Sequence, residues 1–206
     1  MSLRDTRRRL PVVTSLPPPD DRRALTRVAG EAPKPRYAVW ELTLKCDQKC
    51  IHCGSRAGAA RTRELSTDEA LALVPQLREL GVGEVTLIGG EAYLRDDFIL
   101  IARAIRMAGM DCTLTTGGLN LTASRCEALK EAGIRSVSVS IDGTEAVHDA
   151  LRGVAGSFKR AFTALARLRA VGVARSVNTQ INRLTLPTLE ELQSLLLAAE
   201  RRGWIY

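Results

Sequence analysis

From Tyr37 onward, short runs rich in β-branched residues alternate with longer stretches whose apolar positions recur every three or four residues. Those two periods separate strands from amphipathic helices. The pattern predicts a first strand over residues 38–43 and a helix over 67–80. In that helix Leu73, Val74, Leu77 and Leu80 make the apolar face, Ser66 is the N-cap, Glu69 completes a capping box and Gly81 ends it. Pro75 should kink the helix or limit its first turns. A second strand over 84–88 runs into Gly89-Gly90-Glu91, and Asp97 caps a helix closed by Gly109. A third strand over 112–115 runs into Thr116-Gly117-Gly118, and Thr122 caps a helix closed by Gly133. The fourth strand, 136–141, alternates cleanly. Ser157 then caps a helix reaching about residue 170. A fifth strand follows over 176–181, and Thr188 with Glu191 forms a capping box for a fifth helix closed by Gly203. Trp204-Ile205-Tyr206 opens a sixth strand.

Strand and helix thus alternate five times, which implies α/β architecture with parallel strands and right-handed helical crossovers. A three-residue strand with no covering helix reads as a chain interrupted inside a larger domain. The expected organisation is a segment 1–36 followed by a core domain 37–206, incomplete at its C-terminal end.

Composition changes this picture little. With 206 residues, 45% of them hydrophobic, there is enough for one good-sized core. No apolar run approaches the ~18 residues of a membrane span. Net charge is +7, but residues 1–36 carry nine Lys/Arg against four Asp/Glu, leaving the other 170 residues close to balance. The basicity belongs to a leader that also holds Pro17, Pro18 and Pro19. It reads as flexible and solvated, not as a nucleic-acid surface. Neither nucleic acid nor membrane is expected as a partner.

Five cysteines, three of them packed into the run CDQKCIHC, argue against a secreted disulfide scaffold and for a reducing, cytoplasmic setting. Cys112 and Cys126 fall in a strand and a helix and read as small buried apolar residues. Cys46, Cys50 and Cys53 are the chemistry. Three thiolates on one loop with no evident fourth allow two readings. With His52 they make a zinc knuckle. Without it they hold a four-iron cluster that normally takes four cysteines, leaving one iron open.

In α/β barrels reactive groups collect at the C-terminal ends of strands. The cysteine loop follows strand one, Gly89-Gly90-Glu91 follows strand two, Thr116-Gly117-Gly118 ends strand three, and Ser140-Ile141-Asp142-Gly143 closes strand four. Gly89 and Gly90 allow close approach of a ligand, and Glu91 suits an ammonium group. Ser140 and Asp142 suit hydroxyls, and Arg152 can fork a carboxylate. Amine, carboxylate, ribose and an open iron together describe S-adenosylmethionine.

The chain resembles the radical S-adenosylmethionine (radical SAM) superfamily. The resemblance rests on CDQKCIHC (46–53), IGGE (88–91), TTGG (115–118), SVSIDG (138–143) and HDALRG (148–153). It implies a partial (β/α)6 TIM-like barrel, truncated at the sixth strand. It implies that Cys46, Cys50 and Cys53 ligate a [4Fe–4S] cluster and that His52 contacts the adenine. Gly90 and Glu91 would hold the methionine amino group, and Ser140 and Arg152 the ribose and carboxylate region, with Asn178 a weaker contact. The implied activity is reductive cleavage of the cofactor to a 5′-deoxyadenosyl radical that abstracts hydrogen, with flavodoxin or ferredoxin as electron donor.

SIDG, HDALRG and GSF (156–158) further resemble the branch that carries a C-terminal auxiliary-cluster domain. In that branch a ribosomally made peptide is the first expectation for substrate. A small molecule of the haem pathway is the alternative, and a truncated fragment that binds without turnover is a third reading. Ala92 replaces the proline frequent after GGE. His148 and Tyr93 read as packing residues.

Overall fold

The computed structural model describes residues 34–201. The expected leader up to residue 33, Gly203 and the expected strand at 204–206 lie outside the described residues.

Five strands form one parallel sheet in sequential order: β1 (Tyr37–Glu41), β2 (Glu84–Ile88), β3 (Asp111–Thr116), β4 (Ser136–Ser140) and β5 (Ala174–Asn178). Six helices connect or follow them: α1 (Thr67–Glu79), α2 (Phe98–Met107), α3 (Ala123–Glu131), α4 (Glu145–Arg152), α5 (Ser157–Ala170) and α6 (Leu189–Arg201). This is the α/β pattern expected, one side of a TIM-like barrel. The register pairs Val85 with Cys112 and Leu114 with Val137. These residues and Leu87 and Val139 are wholly buried, packing against Ile101, Ile105, Leu129, Leu165 and Leu168 of the helices. Alternate positions on the opposite face are polar, and Tyr37, Thr86 and Thr113 form a hydroxyl ladder there, at 2.7 and 2.6 Å. One face of the sheet is therefore the core, and the other belongs to the barrel interior.

The helix ends follow the sequence in part. Ser66 and Glu69 form the reciprocal capping box, and Thr122 caps α3. Pro75 lies inside α1, which continues past it, on an exposed face where water can satisfy the carbonyl it releases. Asp97 makes no cap bond, because its carboxylate is claimed by Arg95 and by the Thr67 hydroxyl. Ser157 is the first residue of α5, not its cap. Asp149 caps that helix instead, accepting from the backbone N–H of Phe158 (2.8 Å) and of Gly156 (2.5 Å). The capping box at Thr188 and Glu191 does not form, since the Thr188 hydroxyl donates to the Thr185 carbonyl. Strand five begins and ends earlier than expected, and α4 was not anticipated at all.

Candidate functional site

The C-terminal ends of β1 to β4 surround a cavity of about 250 Å³. Nine of the ten residues that the motifs singled out line it: Cys46, Cys50, His52, Cys53, Gly89, Gly90, Glu91, Ser140 and Arg152. Asp142 does not. Gln48, Thr116 and Gly117 line it too and had been given no individual role. Two cavities of similar or larger size, beside Tyr93 and Arg125 (about 350 Å³) and along α6 (about 320 Å³), contain none of these thiols.

The cysteine loop is held from several sides. Cys46 N–H donates to the Gly58 carbonyl and Gly58 N–H to the Leu44 carbonyl, at 2.9 and 2.8 Å, closing the loop on itself. Lys49 and Ile51 N–H donate to the carbonyls of Arg152 and Leu151 at the end of α4. Asp47 Oδ2 accepts from Tyr93 Oη (2.9 Å) and Asn120 Nδ2 (2.8 Å), so Tyr93 anchors the loop and does more than pack. Sequence reading passed over this because the three residues are far apart in the chain.

Gly89 and Gly90, besides lining the cavity, make room for the chain beside them. At Gly90 a Cβ would come 2.3 Å from the Lys45 carbonyl oxygen and 2.7 Å from both the Leu44 carbonyl oxygen and Cys46 Cβ. The group that approaches closely is the cysteine loop itself. Two hydrogen bonds secure it there: Gly90 N–H to the Thr43 carbonyl (2.7 Å) and Glu91 N–H to the Lys45 carbonyl (2.8 Å).

Glu91 is buried, its oxygens accepting from the Thr116 hydroxyl (2.5 Å) and Gly117 N–H (2.6 Å). Burial pushes its carboxyl up to about 8 despite those bonds. A carboxyl so raised, facing a cavity, is a place where an ammonium group would be stabilising. Burial likewise pushes the Cys46 thiol up to about 11 and the Cys50 thiol upward, so both stay protonated until a metal displaces the proton.

Arg152 and Asp142 correct the sequence reading. Arg152 Nε and Nη2 both donate to Asp142 Oδ2, at 2.9 and 2.6 Å, while Asp142 Oδ1 accepts from Gln180 N–H. The guanidinium fork is therefore already used inside the protein. Its remaining nitrogen, Nη1, lies 3.8 Å from Cys50 Sγ. Asp142 sits behind Arg152, only 1% exposed, and cannot meet a ribose. His52 Nε2 lies 3.6 Å from Asp142 Oδ2, and burial, then Arg152, holds its imidazole below the ordinary range. His148 is buried behind these groups, its Nδ1 accepting from Asp142 N–H at 3.0 Å. Asn178 ends β5 and is not part of the cavity wall.

A family model described as the Radical SAM superfamily matches residues 40–198. The chain belongs to the radical SAM superfamily. Among its relatives, an AdoMet-dependent heme synthase of Methanosarcina barkeri is 36% identical over 82% of this chain and 48% of its own length. A PqqA peptide cyclase of Ruegeria pomeroyi is 32% identical over 78% of this chain and 45% of its own. The structure of Streptococcus suis SuiB bound to S-adenosylmethionine superposes with a TM-score of 0.70 at 20% identity, covering 81% of this chain and 39% of that one. The shared fold is thus a partial radical SAM barrel, and this chain spans about half the length of the curated relatives it matches.

Membership in the radical SAM superfamily implies a [4Fe–4S] cluster and S-adenosylmethionine, and the residues fit both. Among the described residues no three His, Cys, Asp or Glu side chains are placed to hold a single metal ion. A cluster asks for something else, one thiolate per iron along a cavity wall. The raised Glu91 carboxyl fits the amino end of the cofactor. No helix among the described residues is long and apolar enough to cross a membrane.

Proposed function

We propose that this chain is the cofactor-binding core of a radical SAM enzyme acting in haem synthesis on a tetrapyrrole substrate. The observation that carries the substrate class is the haem-synthase identity of its relatives, with peptide-modifying relatives slightly more distant. This reverses the order of the two substrates expected from the sequence. Cys46, Cys50 and Cys53 hold three irons of the cluster. Glu91, beside Gly90, receives the ammonium end of S-adenosylmethionine, while His52 and Ser140 face its nucleoside end. Arg152 and Asp142 act together behind the thiolates, setting the electrostatics around Cys50 and not forking the cofactor's carboxylate. When bound and reduced, the cofactor pair supplies a hydrogen-abstracting 5′-deoxyadenosyl radical. An external one-electron donor of the flavodoxin or ferredoxin type feeds it. The protein's part is to orient the two cofactors and keep water from the radical.

The test is anaerobic reconstitution with iron and sulfide followed by one-electron reduction with dithionite, with Cys50→Ala as control. The wild-type chain should give a cluster EPR signal that changes on adding S-adenosylmethionine, and the variant should not. An iron porphyrin should then bind, seen as a shift of its Soret band, and accelerate release of 5′-deoxyadenosine. Acceleration by a short peptide and not by the porphyrin would move the assignment to peptide modification. A cluster signal indifferent to the cofactor would remove the enzyme reading from this chain.

A further inference from the structure

Gln48 lies between the first two cysteines, is only 3% exposed, and lines the same cavity. Its backbone N–H donates to Cys46 Sγ at 3.4 Å, and its side-chain Oε1 accepts from Cys50 Sγ at 3.5 Å. The other end of the amide, Nε2, is buried without a hydrogen-bond partner. An orphaned buried donor is costly enough to call for an explanation. The amide also lies hard against Gly117, where a Cβ would come 2.5–2.7 Å from Oε1, Nε2 and Cδ. The strand end is thus shaped to admit an amide here.

The hydrogen bond to Oε1 depends on Cys50 being a thiol. A thiolate bound to iron has no proton and can only accept. A half-turn of the terminal torsion exchanges the two ends of the amide and brings the unpartnered NH2 to the sulfur. We propose that the Gln48 side chain donates a hydrogen bond to the ligand sulfur of Cys50 and thereby raises the reduction potential of the cluster. Reduction adds negative charge to the cluster and its sulfurs, and a donor aimed at one of those sulfurs stabilises that charge. Hydrogen bonds to the sulfurs are among the features that set cluster potentials. Ala57 N–H also donates to Cys53 Sγ, at 3.3 Å, but Gln48 is a side-chain donor and can be removed without touching the loop backbone.

The inference rests on the cluster assignment made above, and the experiment separates the two. Wild type, Gln48→Leu and Gly117→Ala are reconstituted, assayed for iron and acid-labile sulfide, and titrated with a low-potential reductant under EPR, without S-adenosylmethionine. Gly117→Ala keeps Gln48 but pushes its amide aside. Both variants should load iron as wild type does and should be harder to reduce by at least tenfold in the one-electron equilibrium, about 59 mV. Failure of the wild type to load would sink the cluster assignment itself. An unchanged or raised potential in either loaded variant overturns the role given to Gln48 alone. Loss of loading in both variants also overturns it, leaving Gln48 as a residue that shapes the loop.

Discussion

Replacing Gly90 by alanine should uncouple the cysteine loop from the sheet. The added Cβ would sit 2.3 Å from the Lys45 carbonyl oxygen, with Leu44 O and Cys46 Cβ at 2.7 Å. Ordinary contact begins roughly 1 Å further out. All three atoms are main chain or Cβ, so no side-chain rotation can relieve the clash. Residues 44–46 must move, which strains the hydrogen bonds from Gly90 N–H to Thr43 and from Glu91 N–H to Lys45. Overpacking costs about 1–3 kcal/mol, and each weakened backbone bond adds about 1 kcal/mol. The expected loss is therefore about 3–5 kcal/mol, a large share of the ~5–15 kcal/mol that holds a domain folded. The displaced residue Cys46 should also cost cluster loading.

The assay is urea unfolding of the metal-free chain, paired with iron and sulfide content after anaerobic reconstitution. Gly54→Ala and Gly58→Ala are the controls, because on the same loop nothing lies within 4 Å of a Cβ at either position. Gly89→Ala, with one contact at 2.6 Å, should fall between. A Gly90→Ala chain that loses under about 1 kcal/mol and loads iron fully would refute the reasoning. So would a Gly54→Ala chain that fails as badly.

Three further predictions follow from the packing around this site. Arg152→Leu leaves the buried Asp142 carboxylate without its cation and should cost about 3–5 kcal/mol in chemical denaturation, whereas a surface control such as Arg103→Leu should be near neutral. Asp149→Ala removes the cap of α5 and should cost about 1–2 kcal/mol, read from the thermal midpoint by circular dichroism. For pH, burial, then Arg152, holds the His148 imidazole down at about 4 against an ordinary 6.5, with Asp142 and Asp149 opposing and His52 adding to the depression. Above pH 6.5 the imidazole is neutral folded or unfolded. Between 6.5 and 4 only the unfolded chain takes up the proton, so stability falls with acid by about 3 kcal/mol and this contribution levels off below pH 4. His148→Leu should flatten the urea midpoint between pH 7 and 5, and an unaltered slope would count against the assignment.

Strand order and most helices were legible because each is written locally. The strands carry apolar residues in runs or in alternation, and Ser66 with Glu69 or Thr122 marks a helix start within four residues. What failed was local evidence read without its neighbours. Asp97 has the chemistry of a cap, but Arg95, two residues before it, takes the carboxylate first. Ser157 sits where a cap belongs, yet Asp149 reaches across from the preceding helix with stronger, charged oxygens. Helix α4, Glu145–Arg152, went unseen because its eight residues are too few to show a period. The site divided the same way. The ten residues singled out were chosen by motif, and nine line one cavity. Asp142 does not, because the sequence cannot say whether a polar side chain at a strand end faces the ligand or the next polar side chain.

The motifs acquire a common physical sense once the loop is in view. Gly90 comes from GGE, Gly117 from TTGG and Gly153 from LRG, three motifs on different elements. Each is a glycine at which a Cβ would strike the cysteine loop: Lys45 O at 2.3 Å, the Gln48 amide at 2.5 Å, and Lys49 O at 2.6 Å. Gly153 must in addition adopt the left-handed conformation that ends α4, with φ of 65°. A loop of eight residues with three ligands to hold has too few bonds of its own to fix three sulfurs. It is fixed by being seated on three surfaces from which the side chain has been removed. On this argument the glycines serve the cluster at one remove, by setting where the thiolates stand. The carboxyl of Glu91, with Ser140 and with Gln48 and His52 of the loop itself, lines the cavity where a ligand would sit. Substitution at Gly90 or Gly153, which would strike the loop's main chain, should then disturb iron loading before it disturbs cofactor affinity. Substitution at Gly117, which meets only the Gln48 amide, should leave loading intact, and substitution at Glu91 should do the reverse of the first two.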